Sequence, residues 1–416
     1  MARRDRIDGL VSIIMLFEFS ACVLLMLREK PADLIAAGLA FGLPAVTWFS
    51  SRLMPRRVVG DPLLLALMNF LCGLGVIILY SMVPERALKQ ALLYAAGMAA
   101  VLISALAVRT IRNWRYWCYL MIPAGLGLLL LPVLIGQETN GAKNWIAVSF
   151  LGSFQPSEMV KLMLVLLLAY FFSQRRGLMG QAPGIAFAMA CLGLLMLQKD
   201  LGTALMYYLL TLALFYIASS NLPLTLAGLG GGVVAAVVGY EMFSHVRVRV
   251  AVWKNPWADI LGNGYQIVQA LMAIASGGVF GLGLGLGHPR AIPAYYTDFI
   301  FAVICEQFGI LFGLLVLLTY VLILLRGVHI ALCARRRFLS LVAMGCTLLL
   351  GVQTFVIIGG VIKLIPLTGI KLPFVSYGGT SLLSCMALIG MLCGVAARNE
   401  QDLADDAAMT APEEDA

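Results

Sequence analysis

Charged residues are scarce in this chain. Only 12% of its 416 residues are Asp, Glu, Lys or Arg, whereas 61% are hydrophobic and the mean hydropathy is +0.95. Soluble domains are about a quarter charged and about half apolar, so the composition excludes an ordinary water-soluble fold. Many apolar runs reach the ~20 residues that a helix needs to cross a bilayer core. Because backbone groups in lipid must be satisfied within their own segment, we predict an all-α polytopic membrane protein.

Paired cysteines and clustered histidines are also missing. The nine cysteines lie mostly inside apolar runs without paired spacing, and the three histidines are far apart. This pattern excludes a disulfide framework and gives no metal signature. The net charge of +8 comes largely from basic residues in short loops. Such a distribution fits membrane topology better than nucleic-acid binding.

The apolar runs predict twelve spans. They lie at 7–27, 33–50, 62–83, 89–108, 116–135, 156–173, 183–198, 201–219, 222–243, 299–325, 338–362 and 374–397. Gln198, Lys199 and Asp200 interrupt 183–219, which could be two short spans or one broken helix. We favour two, since the run is too long for one crossing. Glu18 lies inside the first run and no small-residue cleavage site ends it, so we expect a span there, not a signal peptide.

The positions of arginine and lysine predict the orientation. With the N-terminus inside, the inside segments hold 16 basic residues and the short outside loops hold 8. An excess of this kind marks cytoplasmic loops. We therefore expect both termini in the cytoplasm and the long loop 245–298 outside. Residues 399–416 are acidic and Ala-rich, which predicts a disordered cytoplasmic tail.

The loop 245–298 is the longest interval between apolar runs. Residues 266–276 are apolar enough for a short re-entrant helix, and the six glycines of 277–287 suit an irregular return. A phosphate-binding loop is the alternative for these glycines, although Walker spacing is absent. Asp259 stands between Trp257 and a Gly-rich turn. Its carboxylate could act as a general base, bind a metal, or cap the helix expected near Gly264.

Further polar clusters lie at span boundaries. Glu158 and Lys161 are three residues apart and can pair on one helix face, either as a structural ion pair or as the polar wall of a substrate cavity. Asp200 lies at a helix break, where Lys161 and Arg249 are candidate partners. Asp298 with Glu306, and the block 371–381, begin two later spans. Their small hydroxylated residues and glycines suit helix packing or a sugar-sized polar lining.

These clusters are similar to those of a known family. Five blocks, 140–145, 155–161, 198–203, 255–266 and 297–306, with 372–381 as a sixth, follow one another in a characteristic order. On them the chain resembles the SEDS family of bacterial cell-wall polymerases, which includes RodA, FtsW and SpoVE. The resemblance starts near Asp61 and ends near Arg398. It divides the chain into an N-terminal extension with two spans (1–58), a ten-span core (59–398) and the tail (399–416).

The resemblance implies a peptidoglycan glycosyltransferase that polymerises lipid II on the outer face of the cytoplasmic membrane, in elongation, division or sporulation. Asp259 occupies the position of the family's essential carboxylate, which favours a catalytic base. Ile260 and Lys199 stand where the family often has proline, and Asn144 where it has a basic or small residue. Expected substrate contacts are Arg249, Lys161, Glu158, Tyr265, Gln266, Ser376 and Tyr377. Expected structural or ion-pair residues are Glu158, Lys161, Asp200, Asp298 and Glu306.

The resemblance also implies partners. Undecaprenyl pyrophosphate would leave with each cycle, stabilised first by Arg249 and then by Lys161. A divalent cation, Mg²⁺ or Mn²⁺, could share that task, and a class B penicillin-binding protein would be the transpeptidase partner. Two alternatives come from other classes: a flippase for lipid-linked precursors and a non-catalytic scaffold for a transpeptidase. A flippase should need charges along a path through the membrane, whereas the charged motifs gather on the outer side.

Overall fold

The structure, a computed structural model, describes residues 2–28, 33–54, 60–139, 142–148, 152–174 and 177–410. Within them the fold is helical, with one small sheet. The helices are α1 Ala2–Arg28, α2 Leu34–Trp48, α3 Pro62–Met82, α4 Pro84–Thr110, α5 Trp114–Ile135, α6 Pro156–Ser173, α7 Gly177–Leu197, α8 Leu201–Ser219, α9 Leu222–Met242, α10 Ser244–Lys254, α11 Tyr265–Gly277, α12 Ile300–Cys333, α13 Arg337–Val361 and α14 Gly379–Thr410. A π-helical turn, Phe49–Leu53, extends α2, and two 3₁₀ turns lie at Pro256–Asp259 and Pro289–Ala291.

Twelve helices of the described residues are long and apolar enough to cross a membrane. This confirms the predicted number of spans. The run 183–219 forms two helices, α7 and α8, as favoured. The break between them holds because Lys199 adopts a positive φ of 57° and the Asp200 carboxylate accepts a hydrogen bond from the Thr203 amide (3.1 Å). A side chain that caps the first turn in this way fixes where a helix starts.

The core of the bundle is formed by α3, α6, α13 and α14, in which most residues are buried, whereas α9 is almost wholly exposed. The connections fall into two groups at opposite ends of the bundle. We call one the loop end, which carries residues 136–139, 142–148, 152–155, 198–200, 243–299 and 362–378. The other is the arginine end, which carries residues 110–113, 219–222, 334–336 and 398. The buried ion pair between Arg326 and Asp61 (2.6 Å) lies toward the arginine end.

The N-terminal helices α1 and α2 pack on the core through a buried polar network. The Thr47 hydroxyl donates to the Glu18 carboxylate (2.9 Å), and the Asn69 amide donates to Ser50 and Ser51 (2.7 and 2.8 Å). Gly73 makes room for Glu18, since a side chain there would overlap the carboxylate. Interhelical bonds of this kind hold helices together where lipid gives no hydrophobic drive.

The structure adds two elements that the sequence did not predict. Strands β1 Gln137–Thr139, β2 Ala142–Val148 and β3 Gly152–Phe154 form an antiparallel sheet in the order β1-β2-β3. Helix α10 fills the start of the long loop. The expected short helix is confirmed as α11, which packs on α12. Part of the block 140–145 lies outside the described residues.

The glycine-rich return after α11 is bound to a kink in α12. Gly309 has φ 84° and interrupts the helix, which frees carbonyls of the preceding turn. The amides of Leu282 and Gly283 donate to the Glu306 and Gln307 carbonyls, both at 2.9 Å. These amides are therefore used within the protein, which is the arrangement expected of an irregular return packed on protein.

The predicted disorder of the tail is wrong for residues 399–410, which continue α14. Asp402 forms an ion pair with Arg336 of the connection between α12 and α13 (2.8 Å), which holds the extension on the bundle, and a second one with Arg398 one turn earlier in α14 (3.4 Å). The acidic composition suggested a chain without partners, but the arginines of the neighbouring connection supply them. Residues 411–416 lie outside the described residues.

Candidate active site

The predicted motifs meet at the loop end. The Lys143 amide donates to the Gln198 carbonyl (3.1 Å), and the Tyr377 amide donates to the Tyr296 carbonyl (2.9 Å). From α10, the Arg249 guanidinium donates to the Thr368 carbonyl (2.9 Å). These bonds join residues 142–148 to 198–200 and residues 243–299 to 362–378, and the contact between Lys371 and the Trp145 ring joins the two pairs of connections.

Glu158 and Lys161 form the predicted ion pair on the first turn of α6. The Lys161 ammonium lies 2.5 Å from the Glu158 carboxylate, and both side chains are buried. Ser384 of α14 donates to Glu158 (2.7 Å), and Lys161 donates to Gln353 of α13 (3.3 Å). A charge at this depth needs a partner, so the pair and its bonds tie three core helices together.

Lys371 is a second lysine beside this pair. Its ammonium lies 4.5 Å from the centre of the Trp145 ring, within cation–π range. Burial lowers the pKa of Lys371, while the carboxylates of Glu158 and Asp298 act to raise it. Lys371 opens the block 371–381, which was predicted to serve helix packing or a polar lining, but no separate role was predicted for this lysine. The sequence signal that could have identified Lys371 is a cation placed directly before Leu372 and Pro373, close to the start of a span.

Asp298 and Arg249 complete this group. Burial raises the pKa of Asp298, against the opposing effects of Thr297, Lys371 and Arg249. A Cβ on Gly369, which has φ +77°, would lie 3.8 Å from Asp298 Oδ2 and 3.9 Å from Arg249 Nη2. Both charged groups thus approach the same glycine. We call Glu158, Lys161, Arg249, Asp298 and Lys371 the charged cluster.

Asp200 is held by amides and not by the expected cations. Its carboxylate accepts hydrogen bonds from the side chains of Asn144 (2.9 Å) and Gln155 (3.2 Å). Lys161 is engaged with Glu158, and Arg249 bonds the Thr368 carbonyl. The prediction that Lys161 or Arg249 would pair directly with Asp200 is therefore wrong; the carboxylate instead caps the first turn of α8 through the Thr203 amide.

Asp259 lies on an exposed turn that leads into α11. Its carboxylate accepts hydrogen bonds from the Asn263 amide (2.8 Å) and the Asn263 side chain (3.2 Å). A side chain on Gly262 would overlap this carboxylate, and one on Gly264 would overlap the Pro256 carbonyl. The two glycines are needed for close approach. Asp259 therefore caps its own turn and also keeps a carboxylate that is open to solvent.

The remaining predicted residues have different surroundings. Tyr265 and Gln266 open α11, the first half-buried and the second exposed. Tyr377 packs edge-on against Tyr296 with ring centres 6.1 Å apart. Ser376 is buried, donates to the Thr297 carbonyl (2.5 Å) and accepts from the Leu372 amide (3.0 Å). Its hydroxyl proton is thus committed to the backbone.

Glu306 has a structural role without an ion pair among the described residues. It is buried in α12 and accepts a hydrogen bond from the His288 amide (2.8 Å). Gly287 lies against the same carboxylate, where a Cβ would overlap it. The glutamate therefore holds the end of the glycine-rich return.

The comparisons with known proteins agree on one family. The sequence model of the FtsW/RodA/SpoVE family, described as cell cycle protein, matches residues 62–401. The peptidoglycan glycosyltransferase RodA of Mycobacterium tuberculosis H37Rv is 35% identical over 397 residues, which cover 88% of this chain and 84% of that protein. The stage V sporulation protein E of Bacillus subtilis is 34% identical, with 82% of this chain and 98% of that protein covered.

The chain belongs to the FtsW/RodA/SpoVE family. A probable peptidoglycan glycosyltransferase FtsW of Geobacter metallireducens is a further relative, 32% identical over 81% of this chain and 95% of its own length. With the family membership, the twelve candidate spans make this a multi-pass membrane protein. Helices α1 and α2 precede the range that the family matches.

Solved structures of the family share this fold. A structure described as coordinating polymerization and crosslinking by a peptidoglycan synthase complex matches with a TM-score of 0.69 and 28% identity, covering 82% of this chain and 99% of that one. Thermus thermophilus RodA matches with a TM-score of 0.60 and 27% identity, covering 82% and 98%. The all-α polytopic fold predicted from the sequence is confirmed.

No group of three or more His, Cys, Asp or Glu residues that could hold a metal ion occurs within the described part of this family member. The use of a divalent cation stays a prediction. An exposed carboxylate and a diphosphate are both ligands that Mg²⁺ accepts.

Proposed function

We propose that this protein is a peptidoglycan glycosyltransferase that polymerises lipid II into glycan strands. The observation that carries the proposal is the pairing, at one end of the bundle, of a cation-rich cluster with a solvent-open carboxylate. The charged cluster holds three cations and two acids, which leaves one positive charge in excess. Such a site suits a pyrophosphate, and Asp259 suits a hydroxyl that must lose its proton. The names of the relatives support the same activity.

The reaction joins two lipid-linked disaccharides. The 4-hydroxyl of the acceptor GlcNAc attacks C1 of the donor MurNAc, its proton passes to Asp259, and the bond from C1 to the pyrophosphate oxygen breaks. The electron pair leaves with undecaprenyl pyrophosphate. Because one displacement inverts C1, an α-donor gives a β-linkage without a covalent enzyme intermediate. Arg249, Lys371 and Lys161 would stabilise the departing charge.

The test is polymerisation of purified lipid II by Asp259→Asn in the full chain. A positioned general base contributes about 10²–10⁴-fold, so we expect that loss with unchanged stability. Asp405→Asn is the matched control, since Asp405 is an exposed acid at the arginine end. Glycan strands from Asp259→Asn at the wild-type rate would remove Asp259 from the mechanism.

The same variants separate the alternatives. A flippase would move lipid II across vesicles without lengthening strands, and its transport would survive Asp259→Asn. A scaffold would show no polymerisation in either form. We place the loop end outside the cytoplasm on the basis of the arginine and lysine distribution, and labelling of a single cysteine at residue 263 or 405 in intact cells checks that orientation.

A class B penicillin-binding protein is the proposed partner. The structural neighbour described as a peptidoglycan synthase complex supports it. Co-purification with the transpeptidase, followed by polymerisation with and without it, tests the assignment. Parallel reactions with EDTA, Mg²⁺ or Mn²⁺ test the proposed use of a divalent cation.

A further inference from the structure

The arginine end contains a cavity that the polymerase reaction does not use. It has a volume of about 460 Å³ and lies among the ends of α4, α5, α6, α13 and α14. Four arginines line it, namely Arg112, Arg115, Arg336 and Arg398. Volumes of several hundred Å³ are typical of sites for small ligands. The cavity is on the opposite end of the bundle from Asp259 and the charged cluster.

The charge of this cavity is only partly neutralised. Asp402 forms ion pairs with two of the four arginines, at 2.8 Å from Arg336 and 3.4 Å from Arg398. Arg112 and Arg115 are exposed, and neither forms an ion pair with a described residue. Among the described residues, two of the four guanidinium groups therefore have a carboxylate partner and the other two have none.

Two helix N-termini add to the positive field. Helix α5 begins at Trp114 and α13 at Arg337, and residues of both first turns line the cavity. The N-terminus of α13 has no side-chain cap, so its first amides retain their capacity to donate. Free amides and the helix dipole at such a position favour an anion.

The surroundings of the cavity indicate a lipid and not a soluble anion. Trp114, Tyr170 and Phe338 give it an aromatic wall. On the adjoining outer surface of α5, Tyr116 and Trp117 are exposed at 76% and 49%. Aromatic side chains of this kind mark the level of the headgroups, which places the cavity within reach of a lipid phosphate.

We propose that this cavity binds the phosphate headgroup of an anionic phospholipid from the adjacent leaflet. The guanidinium groups of Arg112 and Arg115 hold the phosphate, and the amides at the start of α13 supply further donors. Asp402 neutralises the other two arginines of the cavity, Arg336 and Arg398, so it weakens the site. By the charge distribution this leaflet is the cytoplasmic one, where anionic lipids bind basic clusters between membrane helices.

The test is native mass spectrometry of the purified full chain with dioleoyl phosphatidylglycerol. Each arginine near a lipid surface contributes about 1 kcal/mol, so Arg112→Gln/Arg115→Gln should weaken retention by about 30-fold. The matched control is Arg290→Gln/Arg335→Gln, which removes the same charge outside the cavity. It should bind phosphatidylglycerol as the wild type does.

Asp402→Asn should change the retention of phosphatidylglycerol in the opposite direction, which loss of the fold could not do. It frees two arginines, so phosphatidylglycerol should be retained more tightly. The proposal would be overturned if the cavity variant retained phosphatidylglycerol as well as the wild type, or if the control variant lost as much of it as the cavity variant. Binding of phosphatidylcholine as tight as that of phosphatidylglycerol would also overturn it. Displacement of the lipid by millimolar inorganic phosphate alone would do the same, because the site would then recognise a free anion.

Discussion

The loop end holds two kinds of acid, which differ in solvent exposure and in the groups that they contact. Glu158 is buried beside Lys161, and Asp298 is half-buried near the cations Lys371 and Arg249. Asp259 is exposed on a glycine turn and bonds Asn263. An enclosed ion pair orders helices and fixes a field, whereas an exposed acid can meet a hydroxyl and return its proton to water. In the proposed mechanism, binding and proton transfer therefore belong to separate elements of the fold.

This division predicts different consequences of mutation. Removing one charge from the buried Glu158–Lys161 pair leaves its partner buried without compensation, so the stability of the fold falls first. Removing the exposed Asp259 leaves no buried charge without a partner, so only the rate of the reaction should fall. Each of the following experiments tests one side of this contrast.

The largest loss of stability is expected from Lys161→Met, which leaves Glu158 buried without its cation. Breaking a buried pair by removing one partner costs about 3–5 kcal/mol. Unfolding in mixed detergent and SDS micelles measures it. The double variant Glu158→Gln/Lys161→Met should recover most of that stability, because both charges are gone, while polymerisation stays impaired. A single variant as stable as the wild type would show that the pair does not hold the core.

Lys371→Gln is expected to act on the reaction more than on the fold. Lys371 has two acids nearby and rests on Trp145, so its loss leaves no acid without another cation. If it stabilises the leaving pyrophosphate, polymerisation should fall by about 10²-fold. Lys89→Gln, an exposed lysine on α4 at the same end, is the control. An unchanged rate in Lys371→Gln would restrict the leaving-group role to Arg249 and Lys161.

The sequence was informative wherever one segment decides the outcome. Span number follows from apolar length, and the Glu158–Lys161 pair follows from a spacing of three on one helix face. The break at Gln198–Asp200 could be located because charged residues interrupt an apolar run. The catalytic assignment of Asp259 came only from family resemblance, since spacing alone fits a cap equally well.

The remaining features depend on contacts between distant segments. Asp200 meets Asn144 and Gln155 because the connection that forms the three-stranded sheet brings both side chains to the residue before α8. No local sequence pattern predicts that sheet. Lys371 lies beside Glu158 only after α13 and α14 are packed. The helical tail forms because Asp402 finds arginines of another connection. Composition alone could not supply these partners.

Glu18 tests whether every buried acid of this protein needs a cation. Its partner is the Thr47 hydroxyl, which a glutamine oxygen can also accept from. Glu18→Gln should therefore cost less than about 1 kcal/mol, the net worth of a typical hydrogen bond. The unfolding assay used for Lys161→Met measures it, and the matched variant is Glu158→Gln, which leaves the buried Lys161 without its carboxylate. A loss as large as that of Glu158→Gln would contradict the contrast between neutral and charged partners.

The smallest expected effect concerns Asp298 and pH. Burial raises the pKa of Asp298, so the folded protein keeps this proton to higher pH than the unfolded chain does. The stabilising contribution is therefore complete below the unfolded-state value of about 3.9 and is lost as pH rises through the folded-state value. Asparagine cannot ionise, so the Asp298→Asn variant does not lose this contribution. The melting temperature of the wild type should therefore fall relative to that of the variant as pH rises through this window. Asp405→Asn gives the baseline, and a difference that stays constant with pH would mean that the cations of the cluster already compensate the burial of Asp298.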